Sequence, residues 1–234
     1  MQMLAAGFLL VIVIGGILLW LPVCNQEPIA FTDALFTSTS AVCVTGLMTV
    51  VPATQFTLLG KVVLLVLIQI GGLGVVAVST FFLVVIGRKI TVKERVMIQE
   101  TYNMESLSGM VKWILRILKG TFVVEGIGAI FFAFQFIPEY GFLKGIWYSV
   151  FHSISAFCNA GIDILGADSF AAYARNPLIN LTTMILIVAG GIGYTVWFDI
   201  TDNIRNFRKK GERRRGMFKI LTLNSKVALT YDWR

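Results

Sequence analysis

The chain has 234 residues, of which 56% are hydrophobic and 14% charged, and its mean hydropathy is +0.79. Ordinary soluble domains carry about a quarter charged residues, so this composition excludes a soluble enzyme and indicates a membrane protein. The 20 Lys and Arg residues outnumber the 13 Asp and Glu residues, which gives a formal net charge of +7.

Four apolar segments are each long enough to cross a hydrocarbon core of about 30 Å, which takes about 20 helical residues. They are residues 3–23, 56–87, 113–137 and 178–198. The first segment has neither the basic start nor the cleavage site of a signal peptide, so we interpret it as a retained span. We therefore predict an all-α membrane protein with four transmembrane helices.

The distribution of basic residues predicts how these spans are oriented. Residues 88–112 carry five Lys or Arg residues and residues 205–234 carry ten, whereas residues 24–55 carry none and residues 138–177 carry two. The positive-inside rule places the basic segments and both termini in the cytoplasm. The basic tail is interpreted as an anchor beside anionic lipid, and no nucleic-acid partner is predicted.

Both outward connections begin with an apolar segment that is too short to cross the membrane. Ile29 to Ser40 has about 12 residues and Phe142 to Ser155 about 14, a length typical of re-entrant half-helices. Each segment leads into one of two matching sequences, because residues 34–47 and 149–162 share six identities in fourteen positions at a constant offset of 115. The chain is therefore predicted to contain two copies of one module.

A second match supports this repeat. Gly71-Gly-Leu-Gly74 in the second span corresponds to Gly190-Gly-Ile-Gly193 in the fourth, at an offset of 119. Because both copies begin inside, they are parallel membrane–pore–membrane repeats. The predicted domains are a first repeat over 1–87, a cytoplasmic connection over 88–112, a second repeat over 113–204 and a basic cytoplasmic segment over 205–234.

The extended stretches after the half-helices are predicted to line a pore. Non-helical backbone at membrane depth is tolerated only where it is buried in protein or lines a water-filled cavity. Its carbonyl oxygens could replace the hydration shell of a cation, with a glycine leaving no side chain in the way. The predicted ion-binding filter residues are Val42, Cys43, Val44, Thr45 and Gly46 in the first repeat, and Phe157, Cys158, Asn159, Ala160 and Gly161 in the second.

These motifs resemble the Trk/Ktr/HKT superfamily of potassium transporters, and the bacterial KtrB-type subunit in particular. The resemblance rests on Ser-x-Ser-Ala-x-Cys-x-x-Gly after each half-helix and on Ile-Gln-Ile-Gly-Gly-Leu-Gly at 68–74, and it covers nearly the whole chain. It implies potassium uptake across a bacterial inner membrane, sodium as a candidate coupling ion, and no cofactor. It also implies a homodimer with a ring of cytoplasmic nucleotide-binding regulatory subunits.

The family pattern has four such units in one polypeptide, and only two are present here. The chain is therefore interpreted as the N-terminal half of a transporter, with a half-pore that needs dimerisation or a non-conducting membrane scaffold as the alternatives. An intramembrane hydrolase would need paired Asp residues near the midplane or a Ser with a His base, and Asp163 is expected outside the filter and Asp199 at a cytoplasmic end. No catalytic residue and no resident metal site are predicted.

Two polar residues that are expected to be buried each have more than one interpretation. Glu125 lies in the middle of the third span, where an ionisable group is either functional or a structural partner of another polar group. His152 stands where the first repeat has Thr37, which favours hydrogen bonding behind the filter over a proton switch or a metal ligand.

Overall fold

The computed structural model describes residues 2–74, 77–78, 110–193 and 196–197. In this part of the chain the structure is helical, and the β pairing is confined to one isolated bridge between Asn25 and Phe56. The predicted all-α class is confirmed there. The chain divides into two compact units, Met1–Ile187 and Val188–Arg234.

The first half of the larger unit contains a long helix, a shorter one and a second long one. The elements are α1 (Gln2–Trp20), a 3-10 turn (Pro22–Cys24), α2 (Phe31–Cys43), α3 (Pro52–Gln55) and α4 (Leu58–Leu73). The Thr57 side chain caps α4 by accepting a hydrogen bond from the Gly60 N–H at 3.3 Å. The short helix α2 packs against both α1 and α4.

The second half again has three main helices, but its 3-10 turn lies after the second helix instead of before it. Its elements are α5 (Met110–Tyr140), α6 (Phe142–Phe157), a 3-10 turn (Ala171–Tyr173) and α7 (Pro177–Gly191). Gly141 separates α5 from α6 with a φ of +81°, and α6 folds back against α5. Within the described residues, helices of 13 and 16 residues therefore lie where the sequence predicts the two half-helices.

The lengths of the helices differ from the predicted spans. One described helix, Lys112–Tyr140, is long and apolar enough by itself to cross a membrane, and Ala5–Trp20, Leu58–Leu73 and Pro177–Gly191 are shorter apolar helices. The helix in the predicted span over 56–87 is interrupted, because α4 ends at Leu73 and Gly74 has a φ of +82°. Glycine takes this conformation without the steric cost that other residues incur.

The predicted domain boundaries lie mostly outside the described residues. This holds for residues 79–109 and 198–234, which include almost all of the cytoplasmic connection and the whole basic tail. The helix α5 already begins at Met110, inside the predicted connection.

Large apolar side chains are exposed along the helices of the larger unit. Leu9 is 63% exposed, Phe134 68% and Leu143 82%. A row of exposed apolar side chains on a helix is what lipid contact favours, because hydrocarbon solvates them while the helix satisfies its own backbone. Phe56, Phe132 and Phe136 are fully buried in the protein core.

The smaller unit is described only at its start. The Trp197 indole Nε1 donates to the Ala189 carbonyl at 2.7 Å, and the Trp197 backbone N–H donates to the Gly193 carbonyl at 3.3 Å. Gly193 has a φ of +87°, so the predicted fourth span over 178–198 is also interrupted at a glycine.

Candidate filter site

The helix α2 ends at a residue with left-handed backbone. Val44 has a φ of +57°, and its N–H donates to the Ser40 carbonyl. The Thr45 N–H also donates to the Ser40 carbonyl at 3.0 Å, and the two side-chain hydroxyls lie 2.9 Å apart. Gly46 follows with a φ of +74°. These contacts turn the chain sharply out of the helix.

The helix α6 ends with the same backbone conformations 115 residues later. Asn159 has a φ of +58°, Gly161 has a φ of +64°, and the Ala160 N–H donates to the Ser155 carbonyl at 2.8 Å. The left-handed residue, the glycine and the backbone hydrogen bond therefore occur at matched positions in both halves.

The structure corrects where the non-helical stretches begin. Val42 and Cys43 are still part of α2, and Phe157 is still part of α6, although all three were predicted to lie in extended backbone. Cys158 also keeps a helical conformation and donates its N–H to the Ile154 carbonyl at 2.9 Å. Nothing in these residues breaks a helix, so the hydrogen bonds continue until the left-handed residue.

The two glycines of the predicted filter lie next to each other. A methyl group added to Gly46 would lie 2.8 Å from the Ala160 carbonyl oxygen and 3.6 Å from the Gly161 Cα. A methyl group added to Gly161 would lie 3.7 Å from the Gly46 Cα. Two segments 115 residues apart in the sequence therefore meet at backbone with no side chain between them.

Other predicted filter residues lie around this meeting point. Thr45, Asn159 and Gly161 are exposed, and Ala160 and Cys158 are buried. The C-terminal ends of α2 and α6, where helix dipoles place partial negative charge, both lead into this point. This partial negative charge favours a cation near the two helix ends.

The glycine pair in α4 brings that helix close to both filter segments. A side chain on Gly71 would collide with the Ala41 and Val42 carbonyl oxygens, and one on Gly72 would collide with Cys158. The absence of side chains therefore lets α4 pack directly against the ends of α2 and α6. This agrees with the interpretation of these glycines as packing residues.

Matched serines attach each half-helix to the long helix before it. Ser38 Oγ donates to the Ile12 carbonyl at 2.8 Å, and Ser153 Oγ donates to the Glu125 carbonyl at 2.6 Å. A glycine three residues further along each long helix makes room for the serine, and its added methyl would lie 2.5 Å from the hydroxyl oxygen. These glycines are Gly15 and Gly128.

The contact between this glycine and serine is not predicted from the sequence in either half. The signal was present, because Gly15 and Gly128 are 113 residues apart and Ser38 and Ser153 are 115 apart. The serines were part of the match between repeats, but which carbonyl each would meet depends on helix packing.

The second filter segment has additional hydrogen bonds behind it. Ser155 Oγ donates to the Ile162 carbonyl at 2.5 Å and accepts from the Ile162 N–H at 3.2 Å. His152 Nε2 accepts from the Ile164 N–H at 3.4 Å, so its Nδ1 is protonated and donates to the Tyr148 carbonyl at 2.6 Å. The hydrogen-bonding role predicted for His152 agrees with these contacts.

A cavity of about 190 Å³ lies beside this second segment. Its lining includes His152, Asn159, Gly161 and Asp163. The Asp163 carboxylate accepts a hydrogen bond from the Leu165 N–H at 3.0 Å, which fixes the loop that follows the filter glycine. Among the described residues no group of His, Cys, Asp and Glu side chains could hold a metal ion.

Glu125 is buried in α5 with one of its carboxylate oxygens engaged. Oε1 accepts from Gln69 Nε2 at 3.0 Å, and the Cys158 thiol donates a weak bond to the same oxygen at 4.0 Å. The carboxylate therefore links α4, α5 and the end of α6 behind the second filter segment.

Comparison with known proteins identifies the family. The family model of the TrkH cation transport protein matches residues 1–223. The chain is 43% identical over 231 residues to the potassium/sodium uptake protein NtpJ of Enterococcus hirae, and 39% identical over 229 residues to the Ktr system potassium uptake protein B of Bacillus subtilis. The protein of the latter name from Vibrio alginolyticus is 36% identical over 228 residues.

These alignments cover 98%, 98% and 97% of this chain and 48% of each relative, so the chain spans about half the length of the curated relatives it matches. The family and the relatives are transporters by description, which agrees with the expectation that the chain is not an enzyme. The family match over residues 1–223 and the alignments over nearly the whole chain confirm the family resemblance. The chain belongs to the TrkH family of cation transport proteins.

Proposed function

We propose that this chain supplies two of the pore segments of a potassium uptake protein. The proposal rests on the meeting of Gly46 and Gly161, where two helix C-termini lead into adjacent glycine backbone. Backbone carbonyls at such a point can replace the hydration shell of a potassium ion. The predicted filter residues that remain outside the helices are Val44, Thr45 and Gly46 with Asn159, Ala160 and Gly161.

The proposed architecture consists of two parallel membrane–pore–membrane repeats. In each, a long helix precedes a re-entrant half-helix, a filter segment and a second span. The left-handed residues Val44 and Asn159, the glycines that follow them and the serine contacts at matched positions support this arrangement. Two further filter segments would be needed to surround an ion, and about half of each relative's length is available to contain them.

The proposed setting is a bacterial plasma membrane, with both termini in the cytoplasm and several spans. The names of the relatives support potassium as substrate and sodium as a second candidate ion. By the same resemblance the transporter would be a homodimer that binds cytoplasmic nucleotide-binding regulatory subunits through its basic segments, 88–112 and 205–226.

The filter assignment is tested by placing a side chain at each glycine. Gly46→Ser and Gly161→Ser are expected to lower the potassium-to-sodium permeability ratio by about tenfold or more, because a Cβ there strains the left-handed backbone and displaces its carbonyls. The measurement is ion flux in liposomes that contain the natural transporter carrying this chain.

Gly141→Ser is the matched control. Gly141 also has a positive φ of +81°, but no atom lies within 4 Å of an added methyl group, and it lies between α5 and α6 rather than at the filter. It should keep the wild-type ratio. An unchanged ratio in both filter variants would overturn the filter assignment, and a wild-type protein without flux would favour the non-conducting scaffold.

A further inference from the structure

Glu125 has a buried oxygen with no partner in the described part of the chain. The residue is only 4% exposed, and its Oε1 accepts from Gln69 and from the Cys158 thiol. Its Oε2 is buried and makes no hydrogen bond to any described residue. A buried carboxylate that is only half satisfied is costly unless a positive charge lies within electrostatic reach.

The first half of the molecule shows that the fold itself does not need this carboxylate. Ile12 occupies the matched position in α1, and its carbonyl accepts from Ser38 just as the Glu125 carbonyl accepts from Ser153. The half-helix is therefore attached by the same backbone contact whether the side chain is aliphatic or acidic. The Glu125 side chain has a role that packing of the half-helix does not explain.

Two hydrogen-bond donors face the Glu125 carboxylate, whereas its burial works against the ionised form. Gln69 and Cys158 both present donors to Oε1, and a donor stabilises a carboxylate over a carboxylic acid. Lys119 is the nearest basic residue along α5 in sequence, and six residues of helix place its Cα about 9 Å away. A cation held near the carboxylate would offset the cost of burying its charge.

The second filter segment lies within electrostatic reach. Cys158 Sγ is 4.0 Å from Oε1 and about 3 Å from its own Cα, and Gly161 follows three residues later, at most about 11 Å further, so the Gly161 Cα lies within about 18 Å of Oε1. At that distance a buried charge still attracts a monovalent cation, because the protein interior screens it far less than water does.

We propose that Glu125 is the counter-charge for the cation held by the second filter segment. It acts through space and does not touch the ion, and Gln69 fixes the carboxylate in place. This inference rests on the proposed function, because it requires a cation at Gly161. At such a distance the attraction depends on charge and hardly on ion radius, so it stabilises potassium and sodium alike, and selectivity stays with the backbone geometry.

The test is Glu125→Gln in the natural transporter, with uptake measured as a function of potassium and of sodium concentration. The KM for both ions is expected to rise about tenfold, with the maximal rate and the ratio of the two KM values within about twofold of wild type. Glu125→Asp keeps the charge and should restore both KM values to within about threefold of wild type.

Glu139→Gln is the matched control, because it removes the same charge from an exposed position at the end of the same helix. It should leave both KM values unchanged. Glu125→Ile provides a second uncharged variant if the glutamine variant does not reach the membrane, since isoleucine occupies the matched position, Ile12, in the first half. It should raise the two KM values as glutamine does.

Three results would overturn the proposal. They are KM values within about twofold of wild type in the uncharged variants, a change confined to the potassium-to-sodium ratio, and failure of the aspartate variant to restore affinity while it folds normally. The last two would make Glu125 a purely geometric support for Cys158. A failure of the proposed function is distinguishable, because wild-type protein would then show no saturable potassium uptake and Gly161→Ser would change nothing.

Discussion

The two halves of the larger unit share a backbone design and differ in the side chains that support it. In the first half, the filter segment is held by contacts between Ser40 and Thr45. In the second half, Ser155 bonds both backbone groups of Ile162, and His152 bonds the following loop. The same turn is thus built with few side-chain contacts once and with many the second time.

An aromatic cluster also supports the second half. Behind the second filter segment, His152 lies 5.0 Å from the ring of Phe170 and 5.5 Å from that of Phe136, as measured between ring centroids. The hydroxyls of Tyr140 and Tyr173 lie 3.0 Å apart at the outer end of this cluster. Burial raises the pKa of Tyr173, so its hydroxyl stays protonated and available for this hydrogen bond.

The difference teaches that repeated backbone geometry does not require repeated side chains. The turn after each half-helix depends on a left-handed residue and a glycine, which both halves have. The residues around it differ, and the second half has a buried acid, a histidine and an aromatic cluster. Among the described residues, the second segment therefore has more side-chain hydrogen bonds than the first.

The largest stability effect is expected at the contact between a glycine and a serine that both halves share. Gly128→Ala should destabilise the protein by about 2 to 3 kcal/mol, because the new methyl would lie 2.5 Å from Ser153 Oγ and 2.7 Å from a Leu186 methyl. The measurement is unfolding of the natural protein in mixed micelles by SDS, followed by tryptophan fluorescence.

Gly126→Ala is the control for this variant. No atom lies within 4 Å of a methyl group added to Gly126, so the change should be neutral or stabilise the helix by up to about 1 kcal/mol. Equal destabilisation by both variants would mean that α5 tolerates no substitution here for another reason, and that the contact with Ser153 is not the cause.

A smaller effect separates the two halves. His152→Leu is expected to cost about 2 kcal/mol, because the buried Ile164 N–H loses its acceptor. The matched change Thr37→Val should be neutral or slightly stabilising, since the buried Thr37 hydroxyl oxygen has no hydrogen-bond partner among the described residues. The same SDS titration measures both variants.

Similar losses in these two variants would contradict the proposed asymmetry between the filter segments. His152→Asn offers a further check, because a shorter amide could restore one of the two hydrogen bonds and should recover part of the lost stability.

The smallest predicted effect comes from exchanging the left-handed residues of the two halves, Val44 and Asn159. Val44 holds a left-handed conformation that is costly for a β-branched side chain, whereas asparagine tolerates it and occupies the matched position, Asn159. Val44→Asn should therefore stabilise the protein by about 1 kcal/mol. Asn159→Val should destabilise it by a comparable amount, and a change of the opposite sign in either variant would contradict the backbone interpretation.

Much of the local structure could be predicted from the sequence. The half-helices begin within two residues of their predicted starts, at Phe31 and Phe142, because apolar composition and length are properties of neighbouring residues. Their ends were predicted too early, since Val42 and Phe157 carry no signal that breaks a helix. The breaks at Gly74 and Gly193 were missed because glycine permits both a helix interior and a left-handed turn.

The sequence by itself determined the membrane class, the helices and the two glycine motifs, because hydropathy and repeat spacing can be read along the chain. Only the tertiary structure decided that Gly46 meets Gly161 and that Gln69 meets Glu125. These contacts join residues 115 and 56 positions apart, and they depend on how closely α4 packs against both half-helices. The glycines of α4 allow that approach, but the partners they admit are set by the fold as a whole.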